Sequence, residues 1–128
     1  MLEQIKMVRE FHTVMKAYKL DTPKIDLPIN VVELRKKLIS EETKEVFEAV
    51  EKKDLVNLLK EYCDLIYVVF GGIIEHGLDD VIVEAFQLVQ NSNMSKLDDN
   101  GKPIFREDGK LLKGPNYKAP DLSHLIKV

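Results

Sequence analysis

The feature of this sequence that most constrains its fold is a helical segment that carries acidic residues among apolar ones. The segment LISEETKEVFEAV, at residues 38–50, contains Glu41, Glu42 and Glu45. At about 100° per residue, Glu45 lies about 40° and Glu42 about 100° from Glu41, within an arc that overlaps the apolar stripe of the helix. We therefore expect these carboxylates to face the interior of the fold.

The following segment repeats this pattern. Between residues 55 and 74 the only formal charges are Lys60, Glu61 and Asp64, and the spacing of the two acids stacks their carboxylates on one helical face. Burying unpaired carboxylates costs roughly several kcal/mol each, and repulsion between them favours protonation. The pattern therefore predicts a positively charged group between the two helices.

A hard divalent cation, Mg²⁺ or alternatively Mn²⁺, best fits this set of oxygen ligands, because no His or Cys is placed to favour a softer metal. Two facing helices would each contribute an acid pair, Glu42 with Glu45 and Glu61 with Asp64. Glu41 is either a further ligand or a base for an attacking water.

Other residues near these helices have more than one interpretation. Arg35 lies at about 120° on the same wheel, where it could contact a substrate phosphate or neutralise Glu42. Glu48 is interpreted as a surface residue. His12 falls in an apolar stripe and is expected to be a packed core histidine rather than a catalytic one. Cys63 points away from Glu61 and is expected to pack in the core.

Apolar periodicity and capping signals predict an all-α protein with four helices and a loop-rich C-terminal tail. Asn30 with Glu33 resembles a capping pair for the second helix, Asp54 can cap the third, and Asp79 or Asp80 can open the fourth. Gly, Pro and Asn mark the tail as loops, with a small hairpin as an option at residues 102–112. The predicted single domain, 1–128, has helices at about 3–19, 31–51, 54–75 and 79–92, followed by the tail at 93–128.

Composition excludes several classes of function. The net charge is −3, and the 19 Lys and Arg residues form no basic block, so duplex nucleic acid is not an expected partner. The uncharged apolar run at residues 65–74 is far shorter than the roughly 20 residues of a membrane span. The N-terminus does not resemble a signal peptide, and a single cysteine suits a reducing compartment. We expect a cytoplasmic protein.

The spacing of the acids resembles the signature of a known enzyme superfamily. Glu-Glu-x-x-Glu, then fifteen residues, then Glu-x-x-Asp, is similar to the motif of the all-α nucleoside triphosphate pyrophosphohydrolases, the MazG-like superfamily. The segments RKKLISEE, KEYCDLIYVVFGG and NSNMSKLDDNGKPIFREDGKLLKGPNY extend the resemblance over about residues 31–121. The last segment resembles the branch often labelled phosphoribosyl-ATP pyrophosphohydrolase-like.

The resemblance implies a four-helix bundle-type fold that forms a homodimer or homotetramer. It implies Mg²⁺ held by Glu42, Glu45, Glu61 and Asp64, and attack by an activated water between the α- and β-phosphates of a nucleotide. The products would be a nucleoside monophosphate and pyrophosphate. In the tail, Asn93, Lys96, Lys113 and Tyr117 have the chemistry to bind a base or a phosphate.

Three alternatives stay open at this point. The substrate could be phosphoribosyl-ATP rather than a nucleoside triphosphate. The acidic cluster could instead belong to a noncatalytic helical protein that binds a metal, a nucleotide or a basic partner. A ferritin-like di-iron protein is disfavoured, because that class pairs Glu with His three residues later on its helices, and no Glu-x-x-His occurs here.

Overall fold

The computed structural model describes residues 1–126, and within that range the chain is mainly helical. Its elements in chain order are α1 (Leu2–Val14), α2 (Ile29–Glu51), α3 (Leu55–Glu75), α4 (Ile82–Met94), β1 (Ile104–Phe105), β2 (Leu111–Leu112) and a 3-10 helix (Ser123–Leu125). The predicted all-α class, with four helices, a loop-rich tail and a small hairpin, is confirmed. No helix in the described range is long and apolar enough to cross a membrane.

The chain forms two compact units, Met1–Asp80 and Val81–Val128. The first contains α1, α2 and α3, and the second contains α4, the hairpin and the 3-10 helix. The single-domain organisation stays a prediction.

In the first unit, α3 packs against both α1 and α2. The fully buried apolar side chains come from all three helices: Ile5, Val8, Val46, Ala49 and Ile74. A short connection joins α2 to α3, and the Asp54 carboxylate caps α3 by accepting a 3.0 Å hydrogen bond from the Asn57 backbone N–H. The predicted Asp54 cap is therefore confirmed, and the antiparallel course of α2 and α3 brings their acidic segments together.

The first helix is shorter than predicted. It ends at Val14 rather than near Lys19, because Lys16 adopts a left-handed conformation with φ of 56°. Beyond this turn the chain runs back toward the end of α3, where the Leu20 N–H donates to the Ile74 carbonyl at 3.2 Å. The apolar periodicity of the sequence continues past Met15, but the helix does not, because the chain there bonds to the end of α3 instead.

Two predicted helix caps are wrong, although the helices begin within three residues of the predicted positions. Helix α2 begins at Ile29 after Pro28, whose carbonyl accepts from the Val31 and Val32 N–H groups, and no side-chain capping bond forms at Asn30. Helix α4 begins at Ile82 without a side-chain cap, because the Asp79 carboxylate instead accepts hydrogen bonds from Arg9 at 2.5 and 2.8 Å.

Two residues were predicted from the sequence to be interior, and the structure buries one and exposes the other. His12 is buried, as predicted. The expectation that Cys63 packs in the core is wrong, since this residue is exposed. It lies on a face of α3 that also exposes Leu59, Tyr62 and Ile66, because α3 is apolar on two sides and α1 and α2 do not cover all of it.

In the second unit, β1 and β2 pair antiparallel, with Ile104 opposite Leu112 and Phe105 opposite Leu111. The turn between them contains Gly109 at φ of +86°, a left-handed conformation that glycine adopts without a steric cost. Gly101, the other predicted turn glycine, also has a positive φ of +74°.

Candidate active site

Three carboxylates meet where α2 lies against α3. Glu42 and Glu45 are one turn apart on α2, and Glu61 is on the facing side of α3. One carboxylate oxygen from each lies within 4.8 Å of the other two, a separation that a single divalent cation could bridge. The structure thus brings together three of the five acids that the sequence singled out.

This cluster is partly desolvated and incompletely hydrogen-bonded. Glu61 is only 6% exposed and Glu42 is half-buried. Glu42 Oε2 and Glu61 Oε2 are both buried, and neither has a hydrogen-bond partner among the described residues. A buried polar atom without a partner costs about 1–3 kcal/mol, and more when it is charged. The arrangement is therefore unfavourable without a further positive group.

The pKa of Glu45 reports the same repulsion. The neighbouring carboxylate of Glu61 and then that of Glu42 raise the pKa of Glu45 above its ordinary value. Both neighbours favour a shared proton when no cation is present.

Lys60 supplies the nearest positive charge. Its Nζ lies 2.8 Å from Asp64 Oδ2 and 3.2 Å from Glu61 Oε1, and these two carboxylates raise the pKa of Lys60. The lysine side chain is itself mostly exposed, so it offsets the cluster charge only in part. Asp64, which the sequence grouped with the ligands, is paired here with Lys60 rather than with the other three acids.

The remaining acids of α2 lie toward solvent. The Glu41 side chain is 56% exposed, with Lys37 Nζ 4.0 Å from its Oε1. Glu48, which was interpreted as a surface residue, has Lys44 Nζ at 3.8 Å and is also exposed. The role of Glu41 as ligand or base stays a prediction.

The three clustered carboxylates fit a divalent cation. They offer only hard oxygen donors, and two of those oxygens are buried and have no partner within residues 1–126.

Arg35 has a different partner from those considered from the sequence. Its Nε and Nη2 donate to the two oxygens of Glu75 at 2.7 and 3.1 Å, and its Nη1 donates to the Val68 carbonyl at 3.1 Å. The guanidinium therefore pairs with Glu75 rather than with Glu42. Its side chain lies over Gly71, where an added Cβ would come within 2.5 Å of Nη1.

Glu75 was not singled out from the sequence. The available signal was the pair Gly71-Gly72 inside an otherwise well-formed helix, since interior glycines of this kind often mark a close approach by another group. Here the close group is the Arg35 side chain.

A cavity of about 820 Å³ adjoins the acids within the first unit. Glu42, Asp64, Arg35 and Glu75 contribute polar groups to its wall. The other lining residues are mainly apolar or aromatic: Phe11, His12, Lys16, Ala17, Tyr18, Asn30, Val31, Leu34, Leu38, Tyr67 and Val68.

The four candidate substrate residues of the tail all belong to the second unit. Asn93 lies in the last turn of α4 and is exposed, and Lys96 follows that helix. The Lys96 carbonyl accepts a 2.7 Å hydrogen bond from the Gly114 N–H. Lys113 Nζ lies 4.8 Å from the ring centroid of Tyr117, a cation–π distance. Their roles in substrate binding stay predictions.

A family model described as phosphoribosyl-ATP pyrophosphohydrolase matches residues 8–93, which include the C-terminal half of α1, all of α2 and α3, and the whole acidic cluster. The chain belongs to this family. The predicted membership of the MazG-like all-α superfamily is confirmed, and so is the predicted enzyme class, a pyrophosphohydrolase acting on phosphorus anhydrides. The match ends before Lys96, Lys113 and Tyr117. No curated protein matches the chain.

Proposed function

We propose that this protein is a Mg²⁺-dependent nucleoside triphosphate pyrophosphohydrolase that cleaves between the α- and β-phosphates. The products are pyrophosphate and a nucleoside monophosphate or deoxynucleoside monophosphate. The observation that carries this proposal is the cluster of Glu42, Glu45 and Glu61, with two buried oxygens that have no partner among the described residues. Membership of a pyrophosphohydrolase family supports it.

In this proposal Glu42, Glu45 and Glu61 hold Mg²⁺, and Mn²⁺ can replace it. A bound divalent cation neutralises charge on the phosphate oxygens of the substrate. Asp64 is a further ligand once Lys60 releases it. Glu41 is exposed, so its carboxylate can join the ligands or accept the proton of an attacking water.

Further substrate contacts are proposed for four residues of the second unit. Asn93, Lys96, Lys113 and Tyr117 are proposed to contact base or phosphate, as their chemistry permits. Arg35 lines the cavity, and its bonds to Glu75 and Val68 use one N–H group on each of its three side-chain nitrogens, which leaves one N–H on Nη1 and one on Nη2. We propose that Arg35 contacts substrate through its remaining N–H groups while Glu75 holds it in place.

We also propose a homodimer or homotetramer in the cytoplasm. The exposed apolar side chains of α3 support self-association, with Leu55 77%, Val56 83% and Leu59 68% exposed. Contiguous apolar surface of this kind is typical of a protein–protein interface. The single cysteine, Cys63, supports a reducing compartment.

A second candidate substrate is phosphoribosyl-ATP, which the description of the matching family supports. This molecule offers the same α–β phosphoanhydride, so the same acids would serve both reactions. A noncatalytic role in binding metal or nucleotide is the remaining alternative.

The test is hydrolysis of each NTP and dNTP, dUTP and phosphoribosyl-ATP, with Mg²⁺ or with EDTA. Products are resolved as monophosphate, diphosphate, pyrophosphate and phosphate. We expect metal-dependent monophosphate and pyrophosphate, lost in Glu42→Gln and retained in the matched surface variant Glu48→Gln. Release of orthophosphate, or full activity of Glu42→Gln, would contradict the mechanism. Metal binding without turnover of any substrate would favour the noncatalytic role.

A further inference from the structure

The cavity beside the acids has the size and composition of a small-molecule site. Its volume of about 820 Å³ falls within the roughly 300–1,000 Å³ typical of ligand pockets. Glu42 and Asp64 lie in its wall, so a molecule that occupies it also reaches the acidic residues. The rest of its wall is largely apolar, with a few polar groups that could orient a ligand.

His12 is the most buried titratable side chain of this wall, at 3% exposure. Its Nδ1 lies 2.9 Å from the Tyr18 carbonyl oxygen. A carbonyl only accepts hydrogen bonds, so Nδ1 carries the proton that is donated to Tyr18. In the neutral ring Nε2 is then an acceptor, and it makes no hydrogen bond to any described residue.

The backbone that follows α1 holds this tautomer in place. Lys16 adopts φ of 56°, which reverses the chain, and the Ala17 N–H donates to the His12 carbonyl at 2.8 Å. The reversal places the Tyr18 carbonyl against the imidazole. The left-handed region is unfavourable for a non-glycine residue, so the strained backbone at Lys16 is part of what fixes the orientation of His12.

Two aromatic rings of the same wall are partly exposed. Phe11 and Tyr67 meet edge to face, with ring centroids 5.5 Å apart and planes at 84°. Both line the cavity, and each keeps about two fifths of its surface exposed. Exposed aromatic rings can stack on a nucleobase, because every base has a π-face.

From these observations we propose that the cavity is the nucleoside subsite of the enzyme, and that His12 Nε2 accepts a hydrogen bond from an N–H group of the base. This deepens the proposed function, on which it rests for the reaction itself. His12 is a specificity-determining residue in this arrangement, and the acids at the same cavity receive the phosphates. The subsite selects bases that present a hydrogen-bond donor at the edge facing Nε2.

The first test measures binding of nucleosides without phosphate, in EDTA, by NMR titration of the full chain. Three pairs differ in one hydrogen-bond donor group of the base: adenosine and purine riboside in the exocyclic amino group, and uridine and 3-methyluridine, and inosine and 1-methylinosine, in one ring N–H. We expect the wild-type protein to bind the donor-bearing member of at least one pair about tenfold more tightly, the effect of one desolvated hydrogen bond. The Nε2 resonance of His12 should shift in the same titration.

The variant for this test is His12→Asn, whose amide can still donate to the Tyr18 carbonyl but which lacks an atom at the Nε2 position. We expect it to lose the tenfold discrimination. The matched control is His76→Asn, because His76 Nδ1 makes the same kind of bond to the Lys24 carbonyl, at 2.8 Å, but does not line the cavity. Equal discrimination in wild type and His12→Asn, or its loss in His76→Asn as well, would overturn the assignment to His12.

A second variant keeps the proposal testable if His12→Asn does not fold. Leu34 lines the cavity but is 56% exposed, so Leu34→Trp narrows the cavity without disturbing the core. We expect nucleoside affinity to fall at least fivefold in Leu34→Trp and to be unchanged in Lys36→Trp, an exposed control on the same helix. If Leu34→Trp instead weakens self-association and leaves nucleoside binding intact, a second copy of the chain occupies the cavity and the proposal fails.

These measurements separate this inference from the proposed function. Nucleoside binding in EDTA requires neither the metal nor hydrolysis. If His12 discriminates between nucleosides but no nucleotide is hydrolysed, the nucleoside subsite stands and the proposed reaction is wrong. If nucleotides are hydrolysed but no nucleoside binds in the cavity, the reaction stands and the subsite is wrong.

Discussion

Glu61 and Glu75 lie on the same helix, four turns apart, and are almost equally buried, at 6% and 5% exposure. Glu75 receives two hydrogen bonds from the Arg35 guanidinium, one to each of its oxygens. Glu61 faces two other carboxylates, and one of its oxygens has no partner among the described residues. Two carboxylates with the same burial therefore have different electrostatic environments, because Glu75 pairs with a buried guanidinium whereas Glu61 pairs with the mostly exposed Lys60 and faces two other acids.

This difference separates a structural carboxylate from a functional one. A buried acid paired with arginine is satisfied within the fold, and the surrounding helices depend on that pairing. A buried acid surrounded by other acids is satisfied only when a ligand arrives, which is typical of a binding or catalytic site. Burial alone does not distinguish the two, and the hydrogen-bond partner does.

The largest effect is expected for Glu75→Gln, which leaves the Arg35 guanidinium buried without a counterion. We expect a loss of about 3–5 kcal/mol in the free energy of unfolding, the range for breaking a buried pair on one side. Urea unfolding monitored by circular dichroism measures it. In the double variant Arg35→Met/Glu75→Leu we expect much of the loss to be recovered. A single variant as stable as wild type would show that the pair does not support the fold.

Glu61→Gln should reduce activity without reducing the free energy of unfolding, in contrast to Glu75→Gln. We expect metal-dependent pyrophosphate release to fall at least about 100-fold, because an oxygen that holds the cation is replaced by an amide. The free energy of unfolding in EDTA should be unchanged or higher, since one of three repelling charges is removed. Paired kinetic and urea measurements test both parts. Substantial destabilisation in EDTA would place Glu61 in the same class as Glu75.

Lys60→Met is expected to change the affinity of the acidic cluster for Mg²⁺. The lysine Nζ competes with a divalent cation for Glu61 and Asp64, so its removal should tighten Mg²⁺ binding roughly two- to fivefold at low salt. Isothermal titration calorimetry of wild type and variant measures this change. Lys44→Met, which removes the exposed Glu48 partner, is the control with no expected effect. Weaker Mg²⁺ binding in Lys60→Met would contradict competition.

The smallest effect concerns the pH dependence of stability. The pKa of Glu45 is raised in the folded state by Glu61 and then by Glu42, so the folded chain holds its proton more tightly than the unfolded chain. This stabilisation is complete below the ordinary glutamate pKa and is lost as pH rises through the raised value. Thermal unfolding in EDTA should therefore show a falling midpoint over that window. Glu45→Gln should remove the fall, and its persistence there would assign it to another group.

The helical periodicity of the sequence is local information, and it predicts the number and approximate extent of the helices well. The Asp54 cap and the end of α3 at His76-Gly77 were also predictable, because each depends on residues adjacent in sequence. The end of α1 and the start of α4 were not, because Leu20 bonds to Ile74 and Arg9 bonds to Asp79, residues more than 50 positions apart.

The residues of the candidate site also divide into those that the local sequence predicted and those that it did not. Spacing on single helices indicated Glu42, Glu45 and Glu61, and the structure brings these three together. Spacing also grouped Asp64 with them, but its nearest charge is Lys60, which is one turn earlier on the same helix. Glu75 and the cavity wall had no local signal strong enough to identify them, since each depends on which helix packs against which.

By itself, the sequence determined the helices and the inward-facing acid motif, because rotation per residue and side-chain polarity are properties of neighbouring positions. Only the tertiary structure decided which buried acid meets an arginine, which meets other acids, and which polar groups surround a cavity. Those outcomes depend on contacts between helices distant in sequence, and the energy of a buried charge depends on the groups that surround it.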